Sequence, residues 1–169
     1  MIQLMGAVLV AAGAAWMGMR GADALQERAQ SLRDMAEALR LLEQDLELSD
    51  PTLFRLMKRL VPRCRGPAKE LFQDCSQALE QLAEEEFSQS WRRLVLLRKE
   101  LGEEGQQCLL PLGDTLGQCA GAEQCRTISA VRRRLEASAD RAEEEYRRQG
   151  KVYRALGLSG GAFLVILLL

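Results

Sequence analysis

The sequence predicts an all-α protein, an antiparallel helical bundle flanked by a transmembrane helix at each terminus. Charged residues make up 28% of the chain and aromatic residues only 5%, a balance that suits bundles with cores of Leu, Ala and Met. Leu25, Leu32, Leu39 and Leu46 recur every seventh residue, the mark of a long amphipathic helix. The third observation is that both ends of the chain are apolar while its middle is polar. With 169 residues there is room for one compact core and its appendages. The expected organisation is a membrane helix over 2–19, a cytoplasmic bundle over 20–151 and a second membrane helix over 152–169.

From Ile2 to Met19 the one strongly polar side chain is Gln3. A helix of that length reaches roughly 27 Å, close to the thickness of a bilayer's hydrocarbon. A cleaved signal peptide would carry a basic start, which Met1-Ile2-Gln3 lacks. At the other end Leu156 to Leu169 is apolar but short. Beginning the span at Val152, with Arg154 reaching the headgroups and Tyr153 at the interface, supplies the missing turn, and an interfacial anchor is the alternative. Arg20 follows the first segment, and Arg141, Arg147, Arg148, Lys151 and Arg154 precede the second. Basic flanks stay in the cytoplasm, so the middle is expected inside and both termini outside. Gly157 and Gly161 form a GxxxG pair that would let another helix approach closely.

In the middle, Ala29, Met35, Ala36 and Leu42 accompany the leucine repeat, which reads as a bundle helix or, alternatively, a free-standing coiled coil. Asp50-Pro51 reads as the start of a short helix, with Ser49 or Asp50 as cap and Pro51 in the first turn. Leu53, Leu56, Met57 and Leu60 form its apolar face, and Pro62, Gly66 and Pro67 break the chain after it. Helical spacing then runs over 68–83 through Leu71, Phe72, Cys75, Leu79 and Leu82. A further helix carries Phe87, Trp91, Leu94, Val95 and Leu101 and is expected to end near Gly102 to Gly105. A loop with Pro111 and a short element at Leu116-Gly117 lead to a long last helix holding Ile128, Val131, Leu135, Ala139, Ala142 and Tyr146.

The chain contains no histidine, which excludes a Ser-His-Asp triad, a Cys-His pair and every histidine-containing zinc site. Its glycine-rich run at 157–161 lacks the lysine and hydroxyl of a phosphate-binding loop. The five cysteines, Cys64, Cys75, Cys108, Cys119 and Cys125, show no C-x-x-C spacing and read as small apolar residues and surface thiols. The glutamate runs at 84–86 and 143–145 point around their helices and read as solvated faces. Formal charge is -1, with 23 basic and 24 acidic residues interleaved, which argues against a nucleic-acid partner. No catalytic residue, cofactor or metal is therefore expected. Trp91 reads as a core anchor or a partner contact, and Gln124 as a local helix cap or surface residue. A membrane-anchored thiol enzyme and a coiled-coil signalling protein are the competing functions.

The N-terminal span with its leucine-rich helix, the Leu71-Phe72 pair, Trp91, and Leu116-Gly117 followed by Gln124 together resemble the stage III sporulation protein AB family. So does the ending Lys151-Val152-Tyr153-Arg154-Ala155-Leu156-Gly157. Where family members follow the Leu-Gly pair with a Ser-Asp step, this chain has Gln118-Cys119-Ala120-Gly121. The resemblance implies a bundle similar to the cytoplasmic F domains of type II secretion platforms. It also implies a non-enzymatic scaffold in the outer forespore membrane, its domain in mother-cell cytosol. Its partners would be a secretion-type ATPase, sporulation protein AA, and other membrane proteins of the same operon. Gly157, Gly161, Trp91 and Gln124 are the candidate packing or partner contacts.

Overall fold

The structure, a computed structural model, describes the backbone of residues 2–48, 52–81, 86–118 and 121–168 and the side-chain environments of 23–47, 52–80, 86–116 and 123–148. Among the described residues every regular element is helical. The order is α1 (Ile2–Leu48), α2 (Leu53–Leu60), a 3-10 turn (Val61–Arg63), α3 (Gly66–Gln81), α4 (Phe87–Leu97), a second 3-10 turn (Lys99–Leu101), α5 (Gly102–Leu109), α6 (Leu112–Gln118) and α7 (Gly121–Leu168). Two compact units emerge, one of Arg28–Asp140 and one that gathers Met1–Glu27 with Arg141–Leu169.

In the unit Arg28–Asp140 the leucine stripe of α1 is buried. Leu32, Met35, Leu39 and Leu42 are wholly inaccessible and Ala29 and Ala36 nearly so, which makes α1 a bundle helix and corrects the free-standing coiled coil. Two links set its register against α7. Glu43 of α1 accepts bonds from Ser129 and Arg132 of α7, and Arg33 pairs with Asp140 at 3.7 Å. As the number rises along α1 it falls along α7, so the two helices run antiparallel. Between them in sequence, α2 packs on α3, α3 on α4 and α4 on α6. The core is completed by Leu56, Met57, Leu60, Leu71, Phe72, Trp91, Val95, Leu109, Leu112, Ile128 and Leu135.

Two expected boundaries are corrected. Helix α2 begins at Leu53 and not at Pro51, because Thr52 is still extended at φ -59 and ψ 143. Ser49, Asp50 and Pro51 lie outside the described residues. The helix expected from Phe87 through Leu101 ends at Leu97, and Leu101 sits in a 3-10 turn. The glycines read as its terminator instead open α5. Gly102, at φ +66, takes the left-handed step between the two helices. Gly105 is buried inside α5, where a Cβ would stand 2.6 Å from Leu32 Cδ2, so its missing side chain lets α5 lie against α1. Glu103 and Glu104 occupy the first turn of α5 and complement its dipole.

The backbone of residues 2–19 and of 152–168 is helical throughout. Among the described residues no helix is long and apolar enough to cross a membrane. The side chains of both expected spans lie outside that description, so the spans rest on the sequence.

Candidate functional site

Trp91 is brought to the centre of the bundle by α4 and is wholly buried. Its indole Nε1–H donates to the Leu109 carbonyl at 2.9 Å, near the end of α5. The Phe87 ring one turn earlier lies 5.9 Å away, centroid to centroid, at 38°. From α6, Gly113 approaches so closely that a Cβ would stand 2.8 Å from Trp91 Cδ1. One side chain thus ties α4, α5 and α6 together, and its burial leaves no surface for a partner. Gln124, in the first turns of α7, is 7% exposed and belongs to the core side of that helix rather than to its surface. Gly157 and Gly161 lie on the backbone of α7, in the stretch whose surroundings are outside the description. Of the four residues named from sequence, Trp91 and Gln124 are both buried within the unit Arg28–Asp140.

Two of the thiols, Cys64 and Cys75, are buried. Burial pushes the Cys64 thiol up to about 11, and burial with the adjacent Asp74 carboxylate pushes Cys75 up to about 12. A thiol is nucleophilic as thiolate, so at neutral pH both are less reactive than an ordinary cysteine. Cys125 is also raised, by burial first and then by Glu47 and Glu43. Cys119 lies outside the described residues. Among the described residues no three acidic or cysteine side chains converge as metal ligands would.

What the fold does present is a face of α7 that sequence reasoning passed over. Arg126, Arg133 and Arg134 are exposed, and none has an ion-pair partner among the described residues. At 100° per residue they fall within about a quarter of the helix circumference. Ala130 and Ala137, both exposed, lie between and below them on the same arc. Beside this face an open groove of about 790 Å³ is lined by Pro111, Glu123, Arg126, Thr127, Ala130, Val131 and Arg134. The Thr127 hydroxyl is turned back to the Glu123 carbonyl at 3.2 Å, so the groove's polar character comes from its charged residues. The neighbouring acids of α7 are already engaged, Glu136 with Arg132 at 2.7 Å and Asp140 with Arg33. The signal was present in the sequence as arginines seven and eight residues apart with alanine between them.

A second exposed feature closes α4. Leu96 and Leu97 are 52% and 62% exposed, the two large apolar side chains so placed among the described residues. Gln106 Nε2 donates to the carbonyls of Leu96 and Arg98 at 3.2 and 3.0 Å, satisfying acceptors that the helix end leaves open. Arg98 itself bridges to α3, pairing with Glu70 at 2.8 Å and with Asp74.

Comparison with known proteins gives one consistent family. The family model for stage III sporulation protein AB matches residues 3–169. Stage III sporulation protein AB of Bacillus subtilis (strain 168) is 26% identical over 176 aligned positions that cover the whole of both chains. A solved structure of a stage III sporulation protein AB matches with a TM-score of 0.62 over 72% of this chain and 97% of that one, at 22% identity. That likeness is one of fold.

Proposed function

The chain belongs to the stage III sporulation protein AB family, and from that membership we propose that it is a non-enzymatic membrane platform of the channel joining mother cell and forespore. Its place is the outer forespore membrane, with the bundle in mother-cell cytosol and both termini outside. There it couples the secretion-type ATPase, sporulation protein AA, to the other membrane proteins of its operon. One observation carries this reading: the helices that hold the two apolar ends, α1 and α7, are the same two that Glu43, Ser129 and Arg132 join inside the bundle. A platform needs its cytoplasmic body tied to its anchors, and here anchor and body share helices. The thiol-enzyme alternative is weakened by two thiols held protonated, and the coiled-coil alternative by the burial of the leucine stripe.

The test is cellular. A null strain complemented with the full chain should regain heat-resistant spores, and the protein should sediment with membranes and resist carbonate extraction. Release into the soluble fraction while spore formation is restored would overturn the membrane reading.

A further inference from the structure

We propose that the arginine face of α7 is the docking site for an acidic helical segment of a protein partner. The inference rests on the platform reading for the existence of such a partner. Its chemistry comes from the groove. Arg126 and Arg134 stand eight residues apart, about 12 Å along the helix, and Arg133 one residue nearer. That separation is a little over two helical turns. It matches two turns of a second helix with carboxylates seven or eight residues apart on one face. Ala130 adds no bulk between the charges, so the partner's backbone can come close, and Val131 and Pro111 supply an apolar wall.

Other occupants fit less well. An anionic bilayer is flat and would meet Glu123 at the groove's rim, while the exposed Leu96 and Leu97 that would enter lipid lie outside the groove lining. A nucleic acid would also meet Glu123 and would find no aromatic side chain to stack on in this groove. In a protein complex, Glu123 instead sets polarity, since it demands a basic or neutral residue at one end of the incoming helix.

The experiment uses the full chain in neutral-lipid nanodiscs and a fluorescein-labelled, alanine-based helical peptide with glutamates seven and eight residues apart. A peptide of the same composition with its glutamates spread around the helix is the control. Fluorescence anisotropy should show salt-sensitive binding of the first peptide and at least about tenfold weaker binding of the second. The double variant Arg126→Glu, Arg134→Glu should lose the acidic peptide by a similar factor and gain the lysine counterpart. Because both residues are exposed, an unchanged melting curve will show that the variant is folded. Equal binding of the two peptides, or unchanged binding by the variant, overturns the proposal. So does arginine-dependent binding of phosphatidylglycerol vesicles or a single-stranded oligonucleotide in preference to the acidic peptide. Loss of membrane attachment or of spores in cells bears on the platform reading and leaves the peptide measurement standing.

Discussion

Glu43 of α1 is bonded to Arg132 of α7, with Arg132 Nε 3.3 Å from Glu43 Oε2. The same carboxylate accepts the Ser129 hydroxyl, and Arg132 keeps a second partner in Glu136 at 2.7 Å. Both side chains of the pair are about four-fifths withdrawn from solvent, at 17% and 22% exposed, so salt screens them little. Glu43→Ala should lower stability by about 1.5 to 3 kcal/mol, the range for losing hydrogen bonds to a charged group. The larger loss seen when a buried ion is left alone is not expected, because Glu136 still compensates Arg132. Glu43→Gln, which keeps an acceptor for Ser129, should fall between the two. Urea unfolding of the detergent-solubilised chain measures the series, and a neutral Glu43→Ala would remove the pair from what joins α1 to α7.

Trp91 sets the second expectation. Trp91→Ala removes the largest wholly buried side chain among the described residues, and a cost of about 3 to 5 kcal/mol follows from cavity formation. Trp91→Phe keeps a ring against Phe87 but strands the Leu109 carbonyl, for about 1 to 3 kcal/mol. Gly113→Ala should also destabilise, because its Cβ would meet the indole at 2.8 Å. Thermal melts should rank Trp91→Ala below Trp91→Phe. If Trp91→Phe keeps wild-type stability, the Leu109 bond contributes nothing.

Cys64 and Cys75 give a pH dependence whose direction is set by their raised values. A thiol that ionises near 9.0 when unfolded and at about 11 or 12 when folded binds its proton more tightly in the native state. Its contribution is fully present below 9.0 and is lost as pH rises through the folded value. Stability should therefore fall between about pH 9 and 12. Cys75→Ala should move the alkaline unfolding midpoint upward relative to neutral-pH stability, despite losing some packing. At pH 7.5 iodoacetamide should modify both residues far more slowly than a free thiol. Rapid labelling of Cys75 in the folded chain would restore the thiol-enzyme reading.

Much of this fold could be read from residues alone, and the failures share a cause. The leucine stripe of α1 was legible because seven-residue periodicity is a one-dimensional property that burial then followed, from Ala29 through Leu42. The apolar set of α7, Ile128, Val131, Leu135, Ala139 and Ala142, was legible for the same reason. Gly102 and Gly105 misled because a glycine looks the same in sequence whether it stops a helix or lets one pass close to a neighbour. Only the position of Leu32 tells the two apart. Trp91 was expected in the core or at a partner surface, and its indole partner on another helix decides the matter. The arginine face escaped because charge was judged against the whole chain, where 23 bases balance 24 acids. Pairing is a property of three dimensions: Arg132 finds two carboxylates while Arg133 and Arg134 beside it find none among the described residues.

Arg98 offers a test of how the exposed Leu96-Leu97 pair is presented. Its guanidinium reaches Glu70 through Nη1 and Asp74 through Nη2, and its side chain is 13% exposed. A lysine has one ammonium and cannot reproduce a two-pronged bridge of fixed geometry. Arg98→Lys should thus recover only part of the stability lost in Arg98→Ala. Hydrogen exchange should quicken at the end of α4 in both. Full recovery by lysine would mean that charge alone matters there.

The two apolar ends bring the last expectation, and it concerns mechanism more than stability. Residues 1–27 and 141–169 form a unit distinct from the bundle of Arg28–Asp140, whose core is built from its own side chains. Truncation after Arg154 leaves every residue of Arg28–Asp140 in place, so the bundle should keep its melting curve. The remaining segment 2–19 should still hold the protein on the membrane. A platform that transmits position between an ATPase and a channel needs more than attachment, because a body held by one anchor can swing about it. The truncated chain should therefore be folded, membrane-bound and unable to restore spores to a null strain. Replacing Gly157 and Gly161 by Leu should give the same outcome if the proposed second span meets another subunit through its small residues, because leucine keeps the apolar character and blocks close approach. Spore counts, carbonate extraction and a melt of the purified protein separate these cases. Full complementation by the truncated chain would show that one anchor suffices and would take away the mechanical basis of the platform reading.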